Sequence, residues 1–131
     1  SPAVRSERKV QSEYKLGDTG IDLEKDMIVG IPIFAIHRAP KYYPNPEKFD
    51  PARFSAKEIA KRDSYVYLHF GHGPRNCVGM RFALLEAKVC LVYIISCFNT
   101  KPCDKTPIPM KFAHNSLGIL QPKDVFLASE I

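Results

Sequence analysis

Cys77 is the residue best set up for chemistry in this sequence. It lies in the stretch Phe70-Gly71-His72-Gly73-Pro74-Arg75-Asn76-Cys77-Val78-Gly79. Gly71, Gly73 and Gly79 strip side chains from the turn, so the backbone can take positive φ and approach a flat object closely. The composition then turns helical at Met80-Arg81-Phe82-Ala83-Leu84-Leu85-Glu86-Ala87. That junction sets the thiol beside unpaired N–H groups at the positive end of a helix dipole. A thiol there loses its proton more readily, and Arg75 adds a positive charge two residues upstream. The thiolate form ligates metals and attacks electrophiles.

A low-pKa thiol serves nucleophiles, redox sensors and iron ligands alike, so its surroundings must separate them. An inert buried thiol would need neither the glycines nor the arginine. A phosphate-binding loop is disfavoured, because the glycines do not fit G-x-x-x-x-G-K-[ST] and Gly79 is followed by Met80 and Arg81. A cysteine nucleophile would need a positioned base, and His37, His69, His72 and His114 form no recognisable partner motif.

Phe70, Gly73, Arg75, Cys77 and Gly79 stand as Phe-x-x-Gly-x-Arg-x-Cys-x-Gly, with Phe82-Ala83-x-x-Glu86 after them. This pattern resembles the haem-binding loop of the cytochromes P-450, the haem-thiolate monooxygenases. Upstream, Pro51-Ala52-Arg53-Phe54 is similar to a second element of that family. The resemblance implies that Cys77 is the proximal ligand of haem iron, its thiolate pushing electron density to favour O–O cleavage. It further implies that Arg8 and Arg75 pair with haem propionates and that Phe70 covers the sulfur side of the ring. Gly71, Gly73, Gly79 and Ala83 would shape the pocket, with backbone N–H groups donating to the sulfur.

The implied function is insertion of one oxygen atom from O2 into a lipophilic substrate, with electrons from NADPH through a flavoprotein reductase. The order of elements resembles the eukaryotic microsomal branch. Residency at the cytoplasmic face of the endoplasmic reticulum membrane follows from that branch, through an N-terminal anchor outside this chain. A reductase-independent lyase or isomerase that rearranges peroxides, and a non-catalytic haem-binding module, stay open beside it. The expected fold is mainly α with small β-sheets (α+β), residues 1–131 forming the C-terminal part of a single domain. The oxygen-activating helix and the Glu-x-x-Arg helix are expected to lie outside it, which would leave Arg53 without its ion partners, so that it swings out or the region around it loosens. Ala3 to Ser6 and the tip at 114–118 would approach substrate.

Composition narrows the alternatives. The 131 residues carry 19 Lys and Arg against 14 Asp and Glu, a net charge of +5. The basic residues are scattered without an interleaved aromatic stripe, so nucleic acid is disfavoured and an acidic protein partner is favoured. Lys57, Lys61, Arg62, Arg81 and Lys88 are candidates for the basic face that would receive the reductase. Cys77, Cys90, Cys97 and Cys103 form no C-x-x-C pair, which argues against structural zinc and a disulfide framework and for a reducing compartment. No apolar run approaches the roughly 20 residues of a membrane span.

The supporting elements read as short pieces. Residues 10–34 alternate apolar and polar around turns at 17–20 and 24–26, with the best strand over 27–34 and Pro32 limiting its pairing. Proline spacing from 39 to 46 gives an extended wrap. Ser55-Ala56-Lys57-Glu58 is a capping box opening a short helix that ends near Arg62. Residues 65–69 feed the cysteine loop in extended form, and His69 and His72 read as loop or surface residues. Residues 80–98 form a helix apolar nearly all round in its second half, expected to be buried on every side by the rest of a larger protein, with Cys90 and Cys97 as core thiols. The tail is expected to pair 108–112 with 117–120 across a turn at 114–118, followed by a strand over 125–128.

Overall fold

The structure, a computed structural model, describes residues 3–113 and 119–130. They divide into two compact units, residues 1–69 and 70–131.

In the first unit, strand β1 (Ser6–Lys9) pairs antiparallel with β4 (Ile28–Ile31), Ser6 opposite Ile31 and Lys9 opposite Ile28. Beyond the ladder the Val10 N–H donates to the Met27 carbonyl and the Asp26 N–H to the Val10 carbonyl, both at 2.9 Å. Asp26 takes φ 73°, the left-handed conformation that lets the Glu24-Lys25-Asp26 turn reverse the chain. Between these strands, β2 (Tyr14–Lys15) pairs with β3 (Asp22–Leu23) around a short 3-10 turn at Gly17–Thr19. Both turns fall where the sequence puts them.

The expected strand over 27–34 ends at Ile31. Pro32 opens a short helix instead, α1 (Ile33–His37). A proline lacks the N–H a strand ladder needs, and a helix start does not miss it. Ile33 is buried in the core of this unit together with Tyr43, Val66 and Leu68. Asp50 accepts the Ala52 N–H to cap a 3-10 turn at Pro51–Phe54. Ser55 then caps α2 (Ala56–Ala60) by accepting the Glu58 N–H at 3.4 Å, as the capping box predicts. The stretch at 65–69 is not simply extended. Asp63 caps a 3-10 turn at Ser64–Val66, its carboxylate accepting the Tyr65 N–H at 2.8 Å.

The second unit is built on helix α3 (Met80–Cys97), 18 residues long. It has no buried residue within these 131 residues; the cover expected for it is that of a larger protein. Cys90 and Cys97 are likewise exposed rather than core thiols. The reason is one of reach. At about 1.5 Å per residue the helix runs roughly 27 Å, and the two strands of this unit, β5 (Asn99–Lys101) and β6 (Ala128–Glu130), have three residues each and pair with one another. Lys101 and Glu130 add an ion pair across that ladder.

In the tail, the pairing lies farther along than expected. Lys123 N–H donates to the Lys111 carbonyl at 2.8 Å and Ala113 N–H to the Gln121 carbonyl at 2.9 Å. Phe112 therefore faces Pro122 rather than a residue of 117–120. The final strand is shifted to 128–130 from the expected 125–128. The expected tip at 114–118 lies outside the described residues.

Candidate functional site

A hydrogen bond closes the loop around Cys77. The Cys77 N–H donates to the Phe70 carbonyl at 2.8 Å, bending the intervening residues into a single turn. Gly71 and Gly73 make that bend possible with φ of 76° and 79°. Pro74 starts a 3-10 turn at Gly73–Arg75, completed by the Asn76 N–H on the Gly73 carbonyl at 3.1 Å. Met80 N–H then reaches back to the Cys77 carbonyl at 3.3 Å and Ala83 N–H to the Gly79 carbonyl at 2.9 Å, which launches α3.

Gly79 does something different from the other two glycines. Its φ is −82°, an ordinary value that any residue adopts, so conformational freedom does not require glycine there. A Cβ built on it would stand 3.9 Å from the Cys77 sulfur. That is an ordinary van der Waals contact, so the glycine leaves the flank of the sulfur unfilled without a clash requiring it. The Cys77 N–H is committed to Phe70, so any backbone donation to the sulfur falls to the amides that follow it.

Phe70, Gly71, Gly73, Arg75, Cys77, Gly79 and Ala83 all belong to the second unit, and Arg8 belongs to the first. Cys77 and Arg75 are exposed, while Phe70, Gly79 and Ala83 are half-buried. Arg8 sits on β1 with its guanidinium donating to the Ser6 hydroxyl and the Glu7 carbonyl, both at 2.8 Å. The basic candidates also divide, Lys57, Lys61 and Arg62 in the first unit and Arg81 and Lys88 in the second. Lys61 pairs with Glu58 at 2.6 Å, and Arg62 lies over the Tyr43 ring at 4.6 Å while donating to the Arg53 carbonyl at 2.7 Å.

Arg53 does not swing out. Its Nε donates to the Asp50 carbonyl at 3.2 Å, Nη1 to Pro44 at 3.1 Å, and Nη2 to Asn45 at 3.3 Å and Lys48 at 3.0 Å. Main-chain carbonyls replace the carboxylate expected to pair with it. The planar fork, with donors on three nitrogens, is what lets one side chain gather residues 44–50.

Sequence reasoning missed His37. Its Nε2 accepts the Leu68 N–H at 2.9 Å, and its ring meets Tyr43 edge-on at 6.0 Å and Tyr67 at 5.6 Å. Burial above all lowers its pKa from 6.5 to about 4. His69, stacked on Tyr67 at 4.2 Å, is half-buried rather than a surface residue, and burial lowers its pKa too. Only His37's place before a proline-rich wrap distinguishes it in the letters.

The residues present fit a haem. Among the described residues no three His, Cys, Asp or Glu side chains gather to hold a metal ion. The sulfur is exposed on a loop with no bulky neighbour at position 79, which suits a flat macrocycle approaching it.

The family model for cytochrome P450 matches residues 1–128. Cytochrome P450 9e2 of Blattella germanica is 51% identical over 119 residues, 90% of this chain and 22% of that protein. Cytochrome P450 3A13 of Mus musculus is 45% identical over 125 residues, 95% of this chain and 24% of that protein. Probable cytochrome P450 6a13 of Drosophila melanogaster is 42% identical over 123 residues, 94% of this chain and 25% of that protein. The chain thus spans about a quarter of the length of these relatives. With a family model covering nearly every residue and a glycine-built loop presenting one exposed thiol at the head of a long helix, this chain belongs to the cytochrome P450 family.

Proposed function

We propose that Cys77 is the thiolate ligand to haem iron in a monooxygenase that inserts one oxygen atom from O2 into a lipophilic substrate. Haem is the cofactor of the family, and when bound it supplies the dioxygen chemistry that amino-acid side chains lack. The observation that carries the reading is the exposed Cys77 sulfur on a loop closed by the Phe70 carbonyl, with Gly79 leaving its flank unfilled. In this reading Phe70 covers the ring on the sulfur side. Gly71 and Gly73 fold the loop, Ala83 keeps the first turn of α3 slim, and Arg8 and Arg75 hold the propionates as forked donors.

The electron donor is an NADPH-dependent flavoprotein reductase, an acidic partner suited to a chain of net charge +5. The protein works at the cytoplasmic face of the endoplasmic reticulum membrane, a reading supported by its resemblance to the microsomal branch. Among the described residues no helix is long and apolar enough to cross a membrane, so attachment falls to other sequence. Exposure of apolar α3 along its length supports a further point. The 131 residues alone neither hold haem stably nor turn over, because that helix needs covering to stay ordered.

The test is Cys77→Ser in the haem-loaded protein that carries this chain. The ferrous–carbonyl absorption of thiolate-ligated haem is expected to disappear. Its retention would refute the assignment. A stoichiometric thiolate–haem spectrum from the 131 residues expressed alone would refute the dependence on further chain.

A further inference from the structure

Two side chains of the first unit grip the main chain just before it enters the cysteine loop. The Tyr43 hydroxyl donates to the Val66 carbonyl at 2.8 Å, and His37 Nε2 accepts the Leu68 N–H at 2.9 Å. Tyr43, Val66 and Leu68 are three of the buried apolar residues that make the core of this unit. Leu68 stands two residues before Phe70, whose carbonyl closes the loop on the Cys77 N–H. A donor and an acceptor thus bracket a short length of backbone that continues directly into the residue closing the loop.

We propose, resting on the reading of Cys77 as the iron ligand, that His37 and Tyr43 are positioning residues for that sulfur. They fix the main chain that feeds Phe70, and through the Phe70–Cys77 hydrogen bond they hold the bend of the loop. Neither side chain touches haem or substrate in this role.

The clamp requires a neutral His37, because only an unprotonated Nε2 accepts a hydrogen bond. Its surroundings keep it neutral. The rings against it are those of Tyr43 and Tyr67, with His69 stacked behind Tyr67 and Arg62 lying over Tyr43. Arg38, the next residue, is paired with Glu47 at 2.5 Å. The rings of Tyr43 and Tyr67 carry no charge and Arg62 is cationic, so an imidazolium there would lose part of its solvent and its hydrogen bond with no counter-charge from these neighbours.

The experiment follows the ferrous–carbonyl spectrum of the haem-loaded protein carrying this chain and reads the rate at which the thiolate-ligated form is lost. Tyr43→Phe removes one oxygen and keeps the ring, and His37→Phe removes the acceptor. Each is expected to lose the thiolate-ligated form on the order of ten-fold faster at neutral pH. In His37→Gln the side-chain oxygen replaces Nε2 as acceptor, and the rate is expected to stay within about two-fold of wild type. Acidification toward pH 4 is expected to speed the loss in wild type more than in His37→Gln, whose amide does not titrate. A wild-type rate in Tyr43→Phe and His37→Phe overturns the proposal, as does a His37→Gln profile with the wild-type pH dependence. Should His37→Phe not fold, Tyr43→Phe and the pH comparison decide alone. Cys77→Ser separates the two readings. If it lacks the thiolate signature while the clamp variants behave as wild type, the clamp fails and the ligand stands; if it keeps the signature, the ligand reading itself fails.

Discussion

Acid is expected to weaken the first unit through His37 specifically, between pH 6.5 and about 4. In the unfolded chain a histidine takes up its proton near 6.5, whereas burial above all holds this one unprotonated down to about 4. Between those values the unfolded state binds more protons than the folded state, so stability rises with pH across the window. The contribution is complete above 6.5 and is lost as pH falls through the folded value. At about 1.4 kcal/mol per pH unit the ceiling is roughly 3 kcal/mol. The ring is partly open to solvent, and screening brings the expected contribution to about 1 to 2 kcal/mol. Proton NMR of histidine rings across this pH range, with the His37 signal identified by its absence in His37→Gln, reads the titration directly. Denaturant unfolding at pH 7 and pH 4.5 reads its consequence, with wild type expected to lose about 1 to 2 kcal/mol more than His37→Gln. A His37 resonance titrating above pH 6, or equal losses in the two proteins, would refute the reasoning.

Gly71→Ala and Gly73→Ala force an alanine to φ near +76° and +79° and should each destabilise the loop by about 1 to 2 kcal/mol. Hydrogen exchange at the Cys77 amide reads this, and protection equal to wild type would contradict it. Gly79→Ala should leave that protection intact, since its φ is ordinary and the added Cβ would meet the sulfur at an ordinary van der Waals distance of 3.9 Å; lost protection would contradict this. Arg53→Lys should loosen residues 44–50 by about 1 to 3 kcal/mol, because one ammonium cannot span four separated carbonyls. Limited proteolysis in that segment at the wild-type rate would count against it. Ser55→Ala should cost about 0.5 to 1 kcal/mol of α2 stability, read by hydrogen exchange at Glu58.

What the letters disclosed shares one property: it is written within a few residues of itself. Gly71, Gly73 and Pro74 specify a bend by their own backbone preferences, and the structure bends there. Ser55 and Glu58 announce a helix start because cap and capped amide lie three apart. The turns at Gly17–Gly20 and Glu24–Asp26 are equally local, and they fix the register of β1 on β4. Helix α3 was legible as a helix from its composition, but an all-round apolar surface states only that something should cover it. Helix α1 was not legible. The run Ile31-Pro32-Ile33-Phe34 is as apolar as a strand, and only Pro32's missing N–H tips it the other way.

The tail's register slipped for a related reason. Phe112 and Pro122 meet across a span too long for turn chemistry to set the pairing.

The clamp is the instructive failure. Arg53, Tyr43 and His37 all act on main-chain groups, and a carbonyl or an amide is present whatever side chain occupies the position. Leu68 would offer the same N–H as valine or threonine, so nothing at position 68 marks it as the partner of a histidine 31 residues earlier. A motif records residues whose side chains act on one another or on a ligand. It is silent about residues that act on the backbone, and it is through the backbone that the chain entering Phe70 is held.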